Sequence, residues 1–483
     1  MIARTPALFC ALMAGCALIP VLPSCSSYSS DDEPSADAGP DAEGGSLSIV
    51  EPPAPCDPSE VPGDGVFVSV VFGLSGAPGT ASLPLSTVSD GLELAVARGV
   101  ARVYLDEGTY AESLTLTERH AGILVSGGWK GSKTSWRRDC EDDFRARTTL
   151  ESPAPVAVTI DVASSGATMG FEAMTITNRN LAPTPSDVSG TSSIAMLVRG
   201  SASLRISRAR LLAAKGAHGG AATAGTPGAT LACDGVTGCA SGADGAKGND
   251  GDGAAPAFFD PTGFHPSDGA GGQAGPPGAN GTPGANGAEK SCIREVSGEC
   301  NTGGGFCGGL NENRQGAKGE CGCGGAGGAG GKAGRGGGAS IALLALDGTV
   351  TIEHTTLFAG GGGNGSVGGK GGDGTGGSAP KAGAPTSCLT TISQSGPTGP
   401  ACTCVLGNDQ PAPGGAAGGP GGAGAPGSKG GDGAGGPSYG WVTLGNARVV
   451  IDDASVLNAG PGGAGSVQGA SAPSLVVALD GGT

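Results

Sequence analysis

The chain is poor in aromatic side chains, which make up 4% of its 483 residues. A compact enzyme of this length would have more Phe, Tyr and Trp to bury, so one large core of the ordinary kind is not expected. Basic charge is scarce as well. No Lys or Arg stands between Arg4 and Arg98, and the formal net charge is −16. Such a surface repels phosphate backbones, which excludes nucleic acid as a partner. The same charge keeps a low-complexity chain soluble. The apolar run Ala7 to Leu22 is too short, and too soon ended, to cross a bilayer. Preceded by Arg4, it reads as an export signal. The four histidines are scattered with no triad or ligand spacing, so neither a metal nor a cofactor is expected.

What the chain has in excess is glycine, 99 residues of it. Before the glycine begins, Leu22-Pro23-Ser24-Cys25 resembles a bacterial lipobox, with Met13-Ala14-Gly15-Cys16 as a competing match. The resemblance implies cleavage before Cys25, a diacylglycerol on its thiol and a membrane anchor. Ser26 after the anchor resembles the sorting signal of outer-membrane lipoproteins. Twelve cysteines follow Cys25: Cys56, Cys140, Cys233, Cys239, Cys292, Cys300, Cys307, Cys321, Cys323, Cys388, Cys402 and Cys404. The even number suits disulfides in an oxidising compartment, whereas cleavage at Cys16 would leave an odd thiol. Cys321-x-Cys323 and Cys402-x-Cys404 are spaced more closely than the usual zinc pairs, which favours disulfides over metal thiolates. Residues 1–24 are thus read as a signal peptide and 25–62 as a disordered acidic tether, rich in Ser, Asp, Pro and Gly.

From Gly65 the pattern is all-β. Val66 to Phe72 is a β-rich run. Pro84 to Arg98 has helical spacing, with Ser86 as the candidate cap. Val103-Tyr104-Leu105, Ser113 to Leu116 and Ile123 to Trp129 are short strands between Gly/Asp turns. Strand, short helix, Val-Tyr-Leu-x-x-Gly-Thr-Tyr-x-Glu-Ser-Leu-x-Leu and Gly127-Gly128-Trp129 together resemble the first coils of pectin-lyase-like right-handed parallel β-helices. That resemblance implies a fold and little about function. An internal repeat of strand, turn, strand, Gly starts at Ser193, Ser340, Ser438 and Ser474. Coils are therefore assigned to 63–215, 340–360 and 438–483. Cys56 with Cys140 is the pairing expected at the β-helix end.

The segments 216–339 and 361–437 between the coils are glycine-rich, cysteine-containing insertions with a period of three. Glycine recurs at every third position from Gly242 to Gly251, Gly269 to Gly287, Gly316 to Gly337, Gly362 to Gly377 and Gly415 to Gly436. Three residues per turn is the repeat of the left-handed polyproline II helix, and one face of such a helix would be bare glycine. The expectation is a polyglycine-II or collagen-like bundle folded back and forth, with Gly278 facing a neighbour and Asn280 facing solvent.

Catalytic signals are weak. Gly436-Pro437-Ser438-Tyr439-Gly440 matches the nucleophile elbow but lacks the helix that should follow. Lys370-Gly-Gly-Asp373 and Lys429-Gly-Gly-Asp432 lack the serial aspartates and apolar residues of calcium-binding repeats. In the repeat alignment Arg208, Glu353, His354, Asp452 and Asp453 fall together, as a candidate glycan-contact strip or an ordinary solvated face. The chain is similar to glycine-rich, PGRS-type surface lipoproteins. The expected function is surface display, adhesion or envelope structure without catalysis, at the outer membrane or cell surface. The alternative is a polysaccharide-binding or polysaccharide-acting β-helix. The expected partners are the membrane, through the lipid, and cell-surface polysaccharide or other envelope proteins. The anchor is tested by Cys25→Ala, which is expected to abolish labelling with a palmitate analogue; undiminished labelling would refute it.

Overall fold

The computed structural model describes residues 55–478 apart from 141–142, 164–165, 167, 234, 236, 298–307, 388–390, 395–401 and 406–410. The signal peptide, Cys25, most of the tether, and Cys300, Cys307 and Cys388 lie outside the described residues.

Three long parallel sheets share the coils between them. The first is built from Val66–Val68, Arg102–Asp106, Leu124–Gly131, Thr168–Glu172, Ser203–Ser207, Thr349–Glu353 and Arg448–Ile451, with Trp136–Arg138 antiparallel on its third strand. The second takes Gly108–Tyr110, Thr148–Ser152, Thr175–Asn178, Arg210–Ala213, Thr356–Ala359 and Val456–Ala459. The third takes Leu114–Thr117, Val156–Val162, Ser193–Gly200, Ser340–Ala345, Ser438–Leu444 and Ser471–Val477. Each complete turn of chain adds one strand to each sheet, so the fold is a parallel β-helix of the pectin-lyase-like kind.

Like stacks on like inside it. Met169, Leu204, Val350 and Val449 form one column, and Phe171, Ile206, Ile352 and Ile451 a second. Ile176, Leu211, Leu357 and Leu457 form a third. All but the last member of each column are at least 98% buried. The turn from first to second sheet is tight enough that Ala173, Arg208 and His354 adopt positive φ of 56°, 51° and 47°, a region that side chains with a Cβ seldom occupy. At the start of the third sheet Ser193, Ser340 and Ser438 stack in register, and none is exposed.

The repeat holds with one change. Ser438 pairs with Ser471, and Ser474 stands opposite Trp441, so the fourth copy begins three residues earlier than the sequence match suggested. The helix spans Val88–Arg98, and Thr87, not Ser86, caps it by accepting the Asp90 N–H. The first strand ends at Val68, and Val71 is 73% exposed. Pro55 to Gly63 is no free tether. It is a strap, fixed by the Cys56–Cys140 disulfide, the Glu60–Arg138 ion pair and the Gly63 N–H on the Tyr104 hydroxyl.

Both large insertions leave after a strand of the second sheet and return to the third. Their glycine tracts lie side by side as rods. Gly269, Gly272, Gly275, Gly278 and Gly281 donate to the carbonyls of Gly334, Gly331, Gly328, Gly325 and Gly322, so these two rods run antiparallel. Gly322, Gly325, Gly328, Gly331 and Gly334 donate in turn to residues 419, 422, 425, 428 and 431, and that pair runs parallel. Donors and acceptors both step by three, the repeat of a helix with three residues per turn. The chain goes out along 216–231, back along 242–254, out along 268–288 and back along 316–338; the second insertion goes out along 361–384 and back along 413–436. At a rise of ~3.1 Å, the rod 316–338 is about 70 Å long. This rod bonds to four others, and glycine fills two of every three of its positions through much of its length. The outer rod 268–288 needs only one in three, and Pro276, Pro277 and Pro283 occupy its open side. Where these rods turn, antiparallel hairpins extend: Glu289–Ser297 with Gly308–Gln315, and Thr391–Gln394 with Cys402–Val405. Cys292, Cys402 and Cys404 are in these hairpins. Cys233–Cys323 and Cys239–Cys321 tie the first reversal to the rod 316–338, so the Cys-x-Cys pair there is spent in two disulfides.

Asn280 differs from its expected role. Its amide bonds to Gly238 O and accepts from Gly324 N–H, so it joins rods and is no neutral control. Exposed Ala274 is one. A Cβ on Gly325 would overlap the carbonyl of Thr375. Gly325→Val is expected to cost about 3 kcal/mol through forced separation and lost hydrogen bonds, and to make the insertions protease-sensitive, while Ala274→Val leaves them resistant. Limited proteolysis beside the parent checks this; cleavage of all three forms at one fast rate would refute the bundle.

Candidate functional site

The candidate strip lies where the first sheet turns into the second. Four successive coils end there in acid or hydroxyl: Glu172, Ser207, Glu353 and Asp452, the first three in register. Period-two alternation aims the last residue of each strand off the sheet, and the tight corner holds the next residue beside it. Arg205 binds Glu353 through Nη2 at 2.6 Å. His354 Nδ1 lies 3.2 Å from Asp452 Oδ2, and the His354 N–H donates to the same carboxylate. Asp453 is exposed at the same turn. The Arg208 backbone N–H donates to the Glu353 carbonyl, but its side chain turns to Glu172, with Nη2 at 3.1 Å.

Glu172 is the centre of a buried cluster that the sequence reading missed. Ser126 Oγ donates to its Oε1 at 2.6 Å, and Arg138 Nη2 lies 3.2 Å from the same oxygen. The Arg138 side chain is wholly buried, with its guanidinium 4.1 Å from the Trp129 ring centroid and paired also with Glu60. Burial pushes the Glu172 carboxyl up, but the Ser126 hydrogen bond and the charges of Arg208 and Arg138 outweigh it and hold it below its ordinary value. Burial likewise raises Asp452, and Ser455 with His354 brings it below normal. Burial holds Asp106 above the usual carboxylate range against hydrogen bonds from Ser69, Gly131 and Glu107. The repeat could have flagged Glu172, since Thr168–Glu172 is a further copy of its second strand. Nothing local to Arg138 could have flagged it.

Beside the cluster, strap and first sheet enclose a cleft of about 290 Å³ lined by Glu60, Val61, Gly63, Asp64, Arg102, Tyr104 and Trp129. Tyr104 and Trp129 are almost wholly buried, so they present edges and no open ring face. Ser438, the elbow serine, is fully buried at the start of a strand that follows a rod. Lys429 Nζ sits 2.9 Å from Asp432 Oδ1, where a calcium reading would need a free carboxylate. Among the described residues no three His, Cys, Asp or Glu side chains converge as a metal site, and no helix is long and apolar enough to cross a membrane. The disulfides suit an oxidising compartment.

No protein-family model matches the chain, and no curated protein matches it. Two pectin methylesterases are among the similar solved structures. The Aspergillus niger enzyme, penultimately deglycosylated, is 15% identical with a TM-score of 0.20, covering 32% of this chain and 52% of its own. PemA of Erwinia chrysanthemi is 18% identical with a TM-score of 0.21, covering 31% of this chain and 43% of its own. The match thus spans about half the length of those enzymes, and at this level it bears on neither substrate nor activity.

Glu172→Gln removes the one carboxylate between two arginines. It is expected to destabilise by about 2 kcal/mol, because the buried Arg138 guanidinium keeps only Glu60 as a carboxylate partner and the Arg208 pair is lost. The depressed carboxyl stabilises the fold above its ordinary value of 4.5, and that contribution is lost as pH falls through the lower folded value. Thermal melts from pH 7 to 3 should therefore show a steeper acid loss for the parent than for the variant.

Proposed function

We propose that this chain is a non-catalytic display or adhesion protein of the cell surface, held to the outer membrane by a lipid on Cys25. The β-helix is its base and the glycine bundle is a stiff arm. The reading is carried by the bundle itself: out-and-back rods, cross-bonded at every third residue, with hairpins at the reversals. Such an arm sets the hairpins well away from the coils, where they can meet a partner. Of the corner acids, Glu172, Glu353 and Asp452 are engaged by arginine, histidine or hydroxyl partners, an arrangement suited to holding coils together and ill suited to moving protons.

A second reading has its own support. Arg205, Glu353, His354 and Asp453 stand partly exposed on successive coils at strand spacing, a polar row suited to a polysaccharide laid across the coils. A glycan array probed with the parent and with Glu353→Ala decides between them. The display reading expects no glycan signal that depends on Glu353, and surface exposure of the hairpins to protease on whole cells. A signal lost in the variant would move the function to the strip, and hydrolysis or elimination of a bound glycan would refute the absence of catalysis.

A further inference from the structure

The first coil, where the strap enters, has a surface of unusual chemistry. From Gly65 to Ser89 the chain has no charged residue, although its formal charge is −16. Within that stretch Val71, Leu74 and Leu83 are each more than half exposed, as is Val61 of the strap. The loop is held so as to present them. Ser69 Oγ donates to Asp106 and accepts from the N–H groups of Val71 and Phe72. That turn puts Phe72 against Trp136 and leaves Val71 outside. Leu74 N–H donates to the Pro84 carbonyl, and Thr80 and Leu83 bond to each other through both backbones. Loop and strap flank one aromatic cluster: Trp136 Nε1 donates to Ala81 O in the loop, and Tyr104 and Trp129 line the cleft beside Val61. Basic residues adjoin it. Arg98 donates to the Pro78 carbonyl, and exposed Lys133 and Arg137 are close to Trp136 in the chain.

We propose that this end of the fold rests on the lipid bilayer, with Val61, Val71, Leu74 and Leu83 in the boundary between headgroups and acyl chains. The inference rests on the lipid at Cys25. Residues 26–54 join that lipid to the strap, and a chain of that length spans at most about 100 Å. The strap end therefore meets the bilayer at a high effective concentration, so a weak contact suffices. Single exposed aliphatic side chains are ordinary on a protein surface. Four of them about one aromatic cluster, in a long uncharged stretch, are a patch that gains by leaving water. Arg98, Lys133 and Arg137 at its border suit phosphate headgroups, as the basic residues of interfacial segments do. The rods leave only after Arg210–Ala213 and Thr356–Ala359, several coils further on, so the contact keeps the arm clear of the lipid.

The test uses the lipidated full chain in vesicles of phosphatidylcholine, with and without bromine in the acyl chains. Leu74→Trp adds a fluorophore to the loop. Its emission, taken as the difference from the parent, should be lost in the brominated vesicles. Val367→Trp, at an exposed site in the second insertion, should keep its emission. Adding Val71→Asp and Leu83→Asp to Leu74→Trp should restore the lost emission, with circular dichroism confirming the fold throughout. Flotation with the vesicles reads the anchor separately. A chain that does not float refutes the anchor and this contact with it. A chain that floats with Leu74→Trp unquenched, or with Val367→Trp quenched equally, overturns the contact and leaves the anchor standing.

Discussion

The backbone bond between glycine rods is the constraint from which the rest follows. A three-residue helix makes no bonds within itself, so its N–H and C=O groups must find partners on neighbouring rods or in water. They reach those neighbours only where no Cβ intervenes, and a Cβ at most rod glycines would overlap a carbonyl of the next rod. This sets the composition. The rod 316–338, bonded to four others, gives up two positions in three to glycine through much of its length, and 268–288, with an open side, gives up one in three and carries proline there. Few apolar side chains remain to drive folding, and glycine loses the most backbone freedom on ordering. Disulfides at the reversal and a rigid base at the near end lower that entropic cost.

The β-helix meets this need because its coils are stackable. Each insertion leaves from the second sheet and re-enters the third at a serine, so successive coils deliver rods along one corner in register. The corner on the other side of the first sheet has a different role. It is short and strained at Ala173, Arg208 and His354, and it gathers the charged ends of the strands into a ladder. The same stacking thus gives an apolar column inside, a polar row at one corner and a glycine layer at the other.

Much of this was legible in the sequence. Alternating apolar residues and Gly/Asp turns marked the strands, the Ser-led repeat marked the coils, and the period of three marked the rods, because each reflects a local geometry that every copy must satisfy. The strap was not legible, since Pro55 to Gly63 has the composition of a linker and is fixed only by Cys140, Arg138 and Tyr104 from distant coils. Nor was the burial of Glu172, whose partners Ser126, Arg138 and Arg208 are spread over 83 positions of chain. The register of the last coil was misplaced by three because Ser474 matches the repeat as well as Ser471 does, and only pairing with Ser438 chooses between them.

By itself the sequence determined period and direction: which residues alternate, which recur every third place and where the chain must turn, all consequences of backbone geometry within a few residues. Tertiary structure alone decided partnership. Which rod lies in the middle, which cysteine meets Cys321 and which arginine neutralises Glu172 depend on distances between residues far apart in the chain, and close packing sets those distances only once every coil is in place.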